Sequence, residues 1–250
     1  MHPQTQPANN QPSFNTEAQT SKQKEIYQMC EQTLSKQTHP QIRVYVANLG
    51  KYNEGEIVGA WLNLPTAQSE IKEFLKTKVG LNAQYEEYAV HDFESDFSLG
   101  EYENLYGLNL LAVVLEQMSE TEKKIAAAYC NTNGLKDTTS ILNTCIQVGD
   151  LFYVEIDANT WGSKEEKLGY AVVDELDSDL KRTLEQCKVG EGLSAYEYFD
   201  FEKYGQDIAI NQGYFATDEI FLFYNSDINP QLYTIQEIKK QLNDSRLNET

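Results

Sequence analysis

The spacing of apolar side chains changes several times between residues 42 and 98, and each change marks a predicted element. β-Branched and aromatic residues predict a first strand, and a nearly continuous apolar run predicts a second, buried strand that stops at Pro65. Spacing of three and four residues then predicts a helix with Ile71, Phe74 and Leu75 on one face. The predicted order is strand 43–49, turn 50–55, strand 56–64, helix 67–78 and strand 85–93, which makes a small α/β domain over residues 42–98.

Helical spacing dominates the next segment, residues 99–149. Ser119 followed by Glu122 has the pattern of a capping box, which predicts the start of a second helix, and Asp137 or Thr138 is suited to cap a third. We therefore predict a helical domain here. The apolar positions of its first helix are Leu105, Leu108, Leu111, Ala112 and Leu115.

Residues 150–227 mix both patterns and predict an α+β domain. Ser163 is suited to cap a helix whose apolar stripe runs through Leu168, Val172 and Leu176, with a break near Ser178. The other predicted elements are a strand over 151–156, a short helix from Ser194 through Phe201 and a closing strand over 214–224. The predicted fold class is therefore α+β, with three small domains.

The two ends of the chain differ from this middle. Residues 1–41 are rich in Gln, Asn, Thr, Ser and Pro, which predicts a disordered polar leader with a short helix over residues 22–36. Residues 228–250 form a C-terminal tail, in which Thr234 and Glu237 predict the capped start of an isolated helix.

The charge of the chain is concentrated in its middle. The net charge is −19; residues 42–115 hold eleven acids and five bases, and residues 150–227 hold eighteen acids and six bases. Phosphate contacts need Lys and Arg, so this balance argues against direct nucleic-acid binding. Solubility is the simpler explanation of an acidic chain, although self-repulsion of this size disfavours the compact state.

Composition also bears on location and cysteine chemistry. Neither a run of about 20 apolar residues nor the apolar block of a signal peptide occurs, so we expect a soluble, cytoplasmic protein that binds no membrane. The four cysteines are widely separated and lack a C-x-x-C pair, which predicts reduced and mostly buried thiols.

Carboxylates cluster in three places. No Lys or Arg occurs from Gln84 through Gln117, and a solvated acidic loop is the ordinary explanation of such a run. If the segment stays extended, Asp92, Glu94 and Asp96 point the same way, about 6–7 Å apart. The first group is Glu86, Glu87, Asp92, Glu94, Asp96, Glu101 and Glu103; the second is Asp174, Glu175, Asp177 and Asp179; the third is Glu197, Asp200, Glu202 and Asp207, among aromatic residues.

Motifs for catalysis and for metal binding are lacking. Residues 157–162 match the first, third and sixth positions of an EF-hand loop, but Trp161 and Leu168 fail its fifth and twelfth. His91 is the single histidine in the predicted folded region, which is too little for a metal site or a histidine base. We predict no metal, no cofactor and no enzymatic activity, and a hydrolase that uses paired carboxylates is the less favoured alternative.

Three segments of the sequence resemble the ArdA antirestriction family. Val44–Pro65 is similar to the opening of that family, as is Val79–Asn82 followed by Tyr85–Glu94. Tyr198–Asp207 resembles its C-terminal block, except that Gln206 stands where the family has Arg. The segment 119–190 matches the family only weakly.

The resemblance implies a cytoplasmic protein of a mobile genetic element. It implies an elongated homodimer of three small domains, whose strongly acidic surface imitates DNA and occupies the DNA groove of a type I restriction-modification enzyme, at its methyltransferase core. All fifteen clustered carboxylates are then expected to stand in for phosphates. An acidic decoy for another basic DNA-binding protein, such as a nucleoid protein or a transcription factor, is the alternative. We expect the dimer contact at Leu151, Phe152, Tyr153 and Trp161.

Overall fold

The structure is a computed structural model that describes residues 40–157, 159, 161–224 and 228–248, with side chains through Leu242 in the last helix. The predicted helix over residues 22–36, and all of the predicted leader except its last two residues, lie outside the described residues. The described part is a mixed α and β structure with small sheets, as the patterning predicts.

The first sheet has three antiparallel strands in the order β2-β1-β3. They are β1 (Ile42–Asn48), β2 (Gly59–Leu64) and β3 (Tyr88–Glu94). Alternation puts Ile42, Val44 and Val46 of the central strand on the buried face, which the helix α2 (Gln68–Thr77) helps to cover through Ile71. The strands and this helix confirm the predicted order of elements.

Two details of this region differ from the expectations. The predicted turn over 50–55 contains a short helix, α1 (Leu49–Asn53), because the Asn48 side chain accepts a hydrogen bond from the Lys51 N–H and caps it. The strand predicted over 56–64 begins only at Gly59, and Ile57 is 82% exposed. Since β1 ends where α1 begins, residues 56 and 57 have no neighbouring strand to pair with.

Three helices follow, as predicted for residues 99–149: α3 (Leu105–Leu115), α4 (Glu120–Thr132) and α5 (Thr138–Ile146). Each begins at a side-chain cap, from Asn104, Ser119 and Asp137 respectively. The capping box between Ser119 and Glu122 is present. Helix α3 is almost entirely apolar because it lies inside a core that the first sheet and the helices share.

The next segment alternates short helices and strands. Strand β4 (Tyr153–Glu155) is followed by α6 (Lys164–Ala171), a π-helical turn (Val172–Leu176) and α7 (Ser178–Gln186). A two-stranded hairpin, β5 (Lys188–Gly190) and β6 (Leu193–Ser194), precedes a 3₁₀ turn (Ala195–Tyr198), α8 (Phe201–Asn211), β7 (Gly213–Phe215) and β8 (Ile220–Phe223). Strands β4, β8 and β7 form the second sheet, with β8 in the centre.

The second sheet is covered on both faces. Val154, Phe221 and Phe223 pack with residues of α6 and α8, whereas Ile220 and Leu222 pack on the other face against Ile125 and Ala128 of α4. Burial on both faces explains why β8 is continuously apolar and lacks the alternation of an exposed strand.

Three sequence predictions for this segment are wrong. The closing strand over 214–224 is a hairpin, with β7 and β8 joined by a turn at 216–219. The helix predicted from Ser194 through Phe201 does start at a capping box of Ser194 and Glu197, but it is a 3₁₀ turn that ends at Tyr198, and a separate helix, α8, begins at Phe201. Leu176 leaves the apolar stripe and is 40% exposed, because the π-helical turn shifts it relative to Val172.

The C-terminal helix α9 (Ile235–Asn248) begins at the predicted capping box of Thr234 and Glu237. It is not isolated, because Ile238 is fully buried in the core of the first sheet and helices. Within the described residues, none of the helices has the length and apolar content required to cross a bilayer.

Candidate functional site

The first group of carboxylates lies on β3, just before it, and in the loop that leads to α3. Asp92 and Glu94 occupy alternate positions of β3, opposite Tyr45 and Arg43 of β1, and so share the outer face of the sheet. The strand ends at Glu94, so the alternation does not extend to Asp96. The expectation of three evenly spaced carboxylates therefore applies to the first two only.

Glu94 has a cation beside it that the linear sequence does not indicate. The Arg43 guanidinium donates from Nη1 to both carboxylate oxygens of Glu94, at 2.9 and 3.1 Å, and lies 4.6 Å above the ring of Trp61. Both ion-pair partners are exposed, so the pair contributes little stability, but it cancels one negative charge on this face.

Glu103 has a structural role. Its carboxylate accepts hydrogen bonds from the backbone N–H and the hydroxyl of Thr138, the first residue of α5. Because the first N–H groups of a helix have no partner within the helix, this carboxylate satisfies one of them. Glu103 is thus half-buried at a helix start.

The remaining members of the first group point to solvent. Glu86 and Glu87, which precede β3, line an open depression together with Tyr88 and Tyr102. Asp96 and Glu101 are exposed in the loop after the strand. A β-bulge between β1 and β3 near His91 interrupts the alternation, so Glu86 does not continue the face that carries Asp92.

In the second group, three of the four carboxylates have partners. Asp174 accepts a hydrogen bond from the hydroxyl of Tyr196 at 3.0 Å and lies 3.2 Å from Lys181 Nζ. Burial, followed by the bond to Asp174, raises the pKa of Tyr196 to about 12. Asp177 caps α7 by accepting from the Leu180 N–H, and Asp179 pairs with Arg182 one turn later. Glu175 is exposed.

In the third group, two of the four carboxylates accept hydrogen bonds at helix starts and the other two project into solvent. Glu197 accepts from the backbone N–H and the hydroxyl of Ser194, and these bonds hold its pKa below the ordinary value. Asp200 caps α8 through the Lys203 N–H. Glu202 and Asp207 project from exposed positions of α8.

Aromatic rings pack around the start of α8, beside the third group of carboxylates. Tyr170 of α6 stacks on Phe201 of α8 with 3.9 Å between ring centroids, and Tyr196 and Phe199 each meet Phe201 edge to face at 5.0 Å. Phe201 is buried, so these rings fix the start of α8. Of the aromatic residues around this group, Phe201 is therefore core, Tyr196, Phe199 and Tyr204 are half-buried, and Tyr198 is exposed.

Eight of the fifteen predicted carboxylates are exposed and, within the described residues, neither lie within ion-pair distance of a Lys, Arg or His nor cap the start of a helix or 3₁₀ turn. We call them the unpaired carboxylates. They are Glu86, Glu87, Asp92, Asp96, Glu101, Glu175, Glu202 and Asp207.

Comparison with known families connects these carboxylates with an activity. The family model of the antirestriction protein ArdA matches residues 44–223, which is more than half of the chain. The chain belongs to the ArdA family. This match confirms the resemblance seen in the sequence. The function that membership of this family implies is antirestriction. A comparison with individually curated proteins found no match.

ArdA proteins are non-enzymatic and act on restriction-modification enzymes. The match begins within β1 and ends at Phe223, the last residue of β8, so it contains both sheets except for the first two residues of β1, and it contains all fifteen predicted carboxylates. The C-terminal helix of this ArdA family member lies beyond the matched segment.

Sequence reasoning missed the partners of the paired carboxylates in this ArdA family member. Two of these contacts had a detectable signal in the sequence. Arg182 stands three residues after Asp179, and Asp200 stands directly before the helix whose Lys203 N–H it accepts from. Arg43 had none, because it is 51 residues from Glu94 and meets it only through strand pairing.

The residues expected at a dimer contact have different environments. Leu151 is buried in the chain's own core beneath the second sheet. Phe152 is 42% exposed and packs on Phe223 with ring centroids 4.6 Å apart, and Tyr153 is half-buried. Trp161 is 92% exposed.

The cysteine and histidine residues are dispersed. Cys130 and Cys145 are buried thiols, and burial raises the pKa of both, in the case of Cys130 to about 11, whereas Cys187 is exposed. Cys30 lies outside the described residues. His91 contacts the ring of Tyr52 edge to face at 4.6 Å. In the part of the chain that the structure describes, no three His, Cys, Asp or Glu side chains are grouped as a metal ion would require.

Proposed function

We propose that this ArdA family member inhibits type I restriction-modification enzymes by occupying their DNA-binding groove with carboxylates in the place of DNA phosphates. The observation that carries the proposal is the set of eight unpaired carboxylates within the family-matched segment. Their charge is not cancelled by a neighbouring cation among the described residues, so it is available to an external cationic surface.

The physical basis is competition for a basic groove. B-form DNA presents one negative charge per roughly 1.7 Å of its axis, and a DNA-binding groove is lined with Lys and Arg that meet it. Asp92 on a strand and Glu202 and Asp207 on a helix are attached to backbone that hydrogen bonds hold in place. Fixed charges of this kind accelerate association, most strongly at low salt, and need no recognition sequence.

The arrangement of whole domains is part of the proposal. We infer an elongated molecule with a strongly acidic surface that acts in the cytoplasm. Of its three proposed domains, at 42–98, 99–149 and 150–227, the first two share one core. We also infer a homodimer, because Trp161 and Phe152 are large apolar side chains exposed near the acidic second half. Light scattering should give the mass of a dimer, and Phe152→Asp should reduce it to that of a monomer.

Replacement of carboxylates in blocks tests the mechanism. The variant Asp92→Asn, Asp96→Asn, Glu101→Gln removes three unpaired carboxylates of the first group. The matched control, Glu73→Gln, Asp150→Asn, Glu191→Gln, removes three exposed acids elsewhere and gives the same net charge. Inhibition of DNA cleavage by a purified type I enzyme is measured as a function of protein concentration and of salt.

The proposal predicts that the test variant needs more protein for half inhibition, by roughly tenfold at low salt, and that the control changes this concentration by less than about threefold. The difference should shrink as salt is raised, because screening weakens exposed charges. Equal losses in both variants would mean that net charge, and not placed carboxylates, causes inhibition. No loss in the folded test variant would refute the role of these three residues.

A further inference from the structure

The segment that follows the second sheet returns across the molecule. Ile228 packs against the cluster of residues where α4 meets the second sheet. Tyr233, Ile235, Ile238 and Leu242 then pack against the core that the first sheet and the helices share. A stretch of 15 residues, 228–242, which lies outside the family-matched segment, thus runs from the cluster that joins α4 to the second sheet to the core that the first sheet and the helices share.

Hydrogen bonds to α5 and its end attach this segment residue by residue. Gln147 donates to the carbonyl of Asn229 at 3.0 Å and accepts from its N–H at 3.2 Å. Asn143 donates to the carbonyl of Tyr233 at 2.8 Å and accepts from its N–H at 2.9 Å. Gln231 donates to the Ser140 hydroxyl at 2.7 Å. Two reciprocal pairs to the backbone fix the register of the segment along the helix.

The packing beneath the segment is close. Ile238 is fully buried, and a methyl group placed on Gly107 of α3 would lie 3.3 Å from the Cδ1 atom of Ile235. The lack of a side chain at Gly107 therefore lets the segment approach α3. Asn143 is itself fully buried, so releasing Tyr233 would leave its amide without these partners.

Apart from Ile228, the contact between the two halves is an apolar cluster of Ile125 and Ala128 of α4 with Leu151, Ile220 and Leu222. The partly buried residues packed against this cluster are Tyr129, Val148, Tyr153, Tyr214 and Ala216. At its rim, Lys124 pairs with Glu219 at 2.9 Å, and Asn133 donates to the Tyr214 hydroxyl at 3.2 Å. Exposed polar contacts of this kind hold an orientation weakly, because water and salt compete with them.

We propose that residues 228–242 are a clamp that fixes the orientation of the second sheet and its helices relative to the first sheet and α3–α5. The segment starts with Ile228 at the contact between the halves and is then held along α5, so a rotation of the second half about α4 would separate Ile228 from that contact or release the segment from α5. The consequence for activity rests on the proposed function: the clamp fixes the distance between the first and third groups of carboxylates. The orientation itself does not depend on that function.

The test measures the distance between the halves in the full chain. Spin labels are placed on Cys187, which is exposed in the second half, and on Asn63→Cys, which is exposed on β2, in a Cys30→Ser background. The buried thiols Cys130 and Cys145 should not react. The clamp variants are Ile238→Ala and the milder Gln147→Ala, and the control is Gln236→Ala, an exposed position on the same helix.

A clamp predicts a single narrow distance distribution in the parent and control, and a broad one or a second population in Ile238→Ala. Gln147→Ala should broaden it less. Amide exchange of α9 should accelerate on the order of tenfold or more in Ile238→Ala, which shows that the segment has been released. A distribution that stays narrow although exchange has accelerated would overturn the proposal. If Ile238→Ala does not fold, the same comparison is made with Gln147→Ala.

The outcome is separable from the proposed function, because the distance measurement contains no restriction enzyme. A broadened distribution supports the clamp even if the parent protein proves inactive against type I enzymes. An unchanged distribution overturns the clamp and leaves the inhibition experiment unaffected.

Discussion

The acidic segment around β3 and the acidic segment from α6 to α8 look alike in the sequence but differ in what their carboxylates contact. In the first, five of seven predicted carboxylates are unpaired, the exceptions being Glu94 and Glu103. In the second, five of eight have a cap, an ion pair or a hydroxyl as partner. A count of acids along a sequence therefore overestimates the number of carboxylates whose oxygens are open to a partner protein.

The reason lies in the local structure. The second segment contains several short helical pieces, and the start of each exposes backbone N–H groups that attract a carboxylate. Asp177, Glu197 and Asp200 all occupy such starts. The first segment is a strand and a loop, which offer fewer N–H groups of this kind, so most of its acids stay in solvent.

The largest effect is expected from Gly205→Ala. This variant tests how strongly the stability of the second acidic segment depends on the close crossing of α6 and α8. A methyl group at Gly205 would lie 1.8 Å from the carbonyl oxygen of Glu165, so α6 and α8 could not remain in contact. We expect a loss of roughly 3 kcal/mol or more in the free energy of unfolding, measured by denaturant titration.

The control for this crossing is Gly149→Ala, at an exposed position with open space around it. It should change the unfolding free energy by less than about 0.5 kcal/mol. Equal stability of the two variants would show that the helices can separate without loss, contrary to the close packing of Tyr170 on Phe201.

A smaller effect separates paired from unpaired acids directly. Asp200→Ala removes the cap of α8 and should cost about 1 kcal/mol, whereas Asp207→Ala, with the same change in charge on the same helix, should stay within about 0.5 kcal/mol. Thermal denaturation of both variants gives the comparison. If the order is reversed, repulsion among the acids outweighs capping in this segment.

How far the sequence predicts this structure depends on whether the relevant interaction is local. Ser119 with Glu122, Asp137 and Thr234 with Glu237 are caps within three residues, and all were predictable. Helix α8 was missed because the sequence analysis ended the predicted helix at Phe201, where α8 begins, and did not recognise Asp200 as the cap of a new helix. The burial of β8 on both faces, which hides its alternation, was equally invisible without its tertiary neighbours.

The candidate site shows the same limit. The sequence identified the acidic groups and the family, and the family is confirmed. It could not identify which carboxylates are unpaired. Arg43 pairs with Glu94 on the neighbouring strand, and the N–H of Thr138, at the start of α5, donates to Glu103. Both contacts depend on packing between segments that are far apart in the chain.

Arg43→Gln should make the first segment more acidic by releasing Glu94. We expect a change in unfolding free energy below about 1 kcal/mol, since the ion pair is exposed. If the proposed function is correct, half inhibition should need roughly twofold less protein at low salt and the same amount at high salt. Weaker inhibition by this variant would mean that Arg43 itself contacts the enzyme.

The smallest effect concerns the pH dependence of the capping glutamates. Hydrogen bonds from Ser119 lower the pKa of Glu122, and those from Thr234 lower the pKa of Glu237. A carboxyl with a lowered folded pKa adds stability above its unfolded pKa, and that stability is lost as the pH falls through the folded pKa. Denaturant midpoints between about pH 6 and about pH 3 should therefore fall less steeply in Glu122→Gln than in the parent.

The π-helical turn at Val172–Leu176 has a consequence for insertions and deletions. Its Asp177 N–H bonds to the carbonyl of Val172, five residues back, so this turn holds one residue more than an α-helical turn. Each residue of a helix rotates the chain by about 100°. Deleting one residue here would shorten the turn to α-helical length and shift Leu176 by about 100° around the axis, and it would shift Asp177, whose non-helical backbone caps α7, by the same angle. The length of this turn thus determines the direction in which α7 presents its charges.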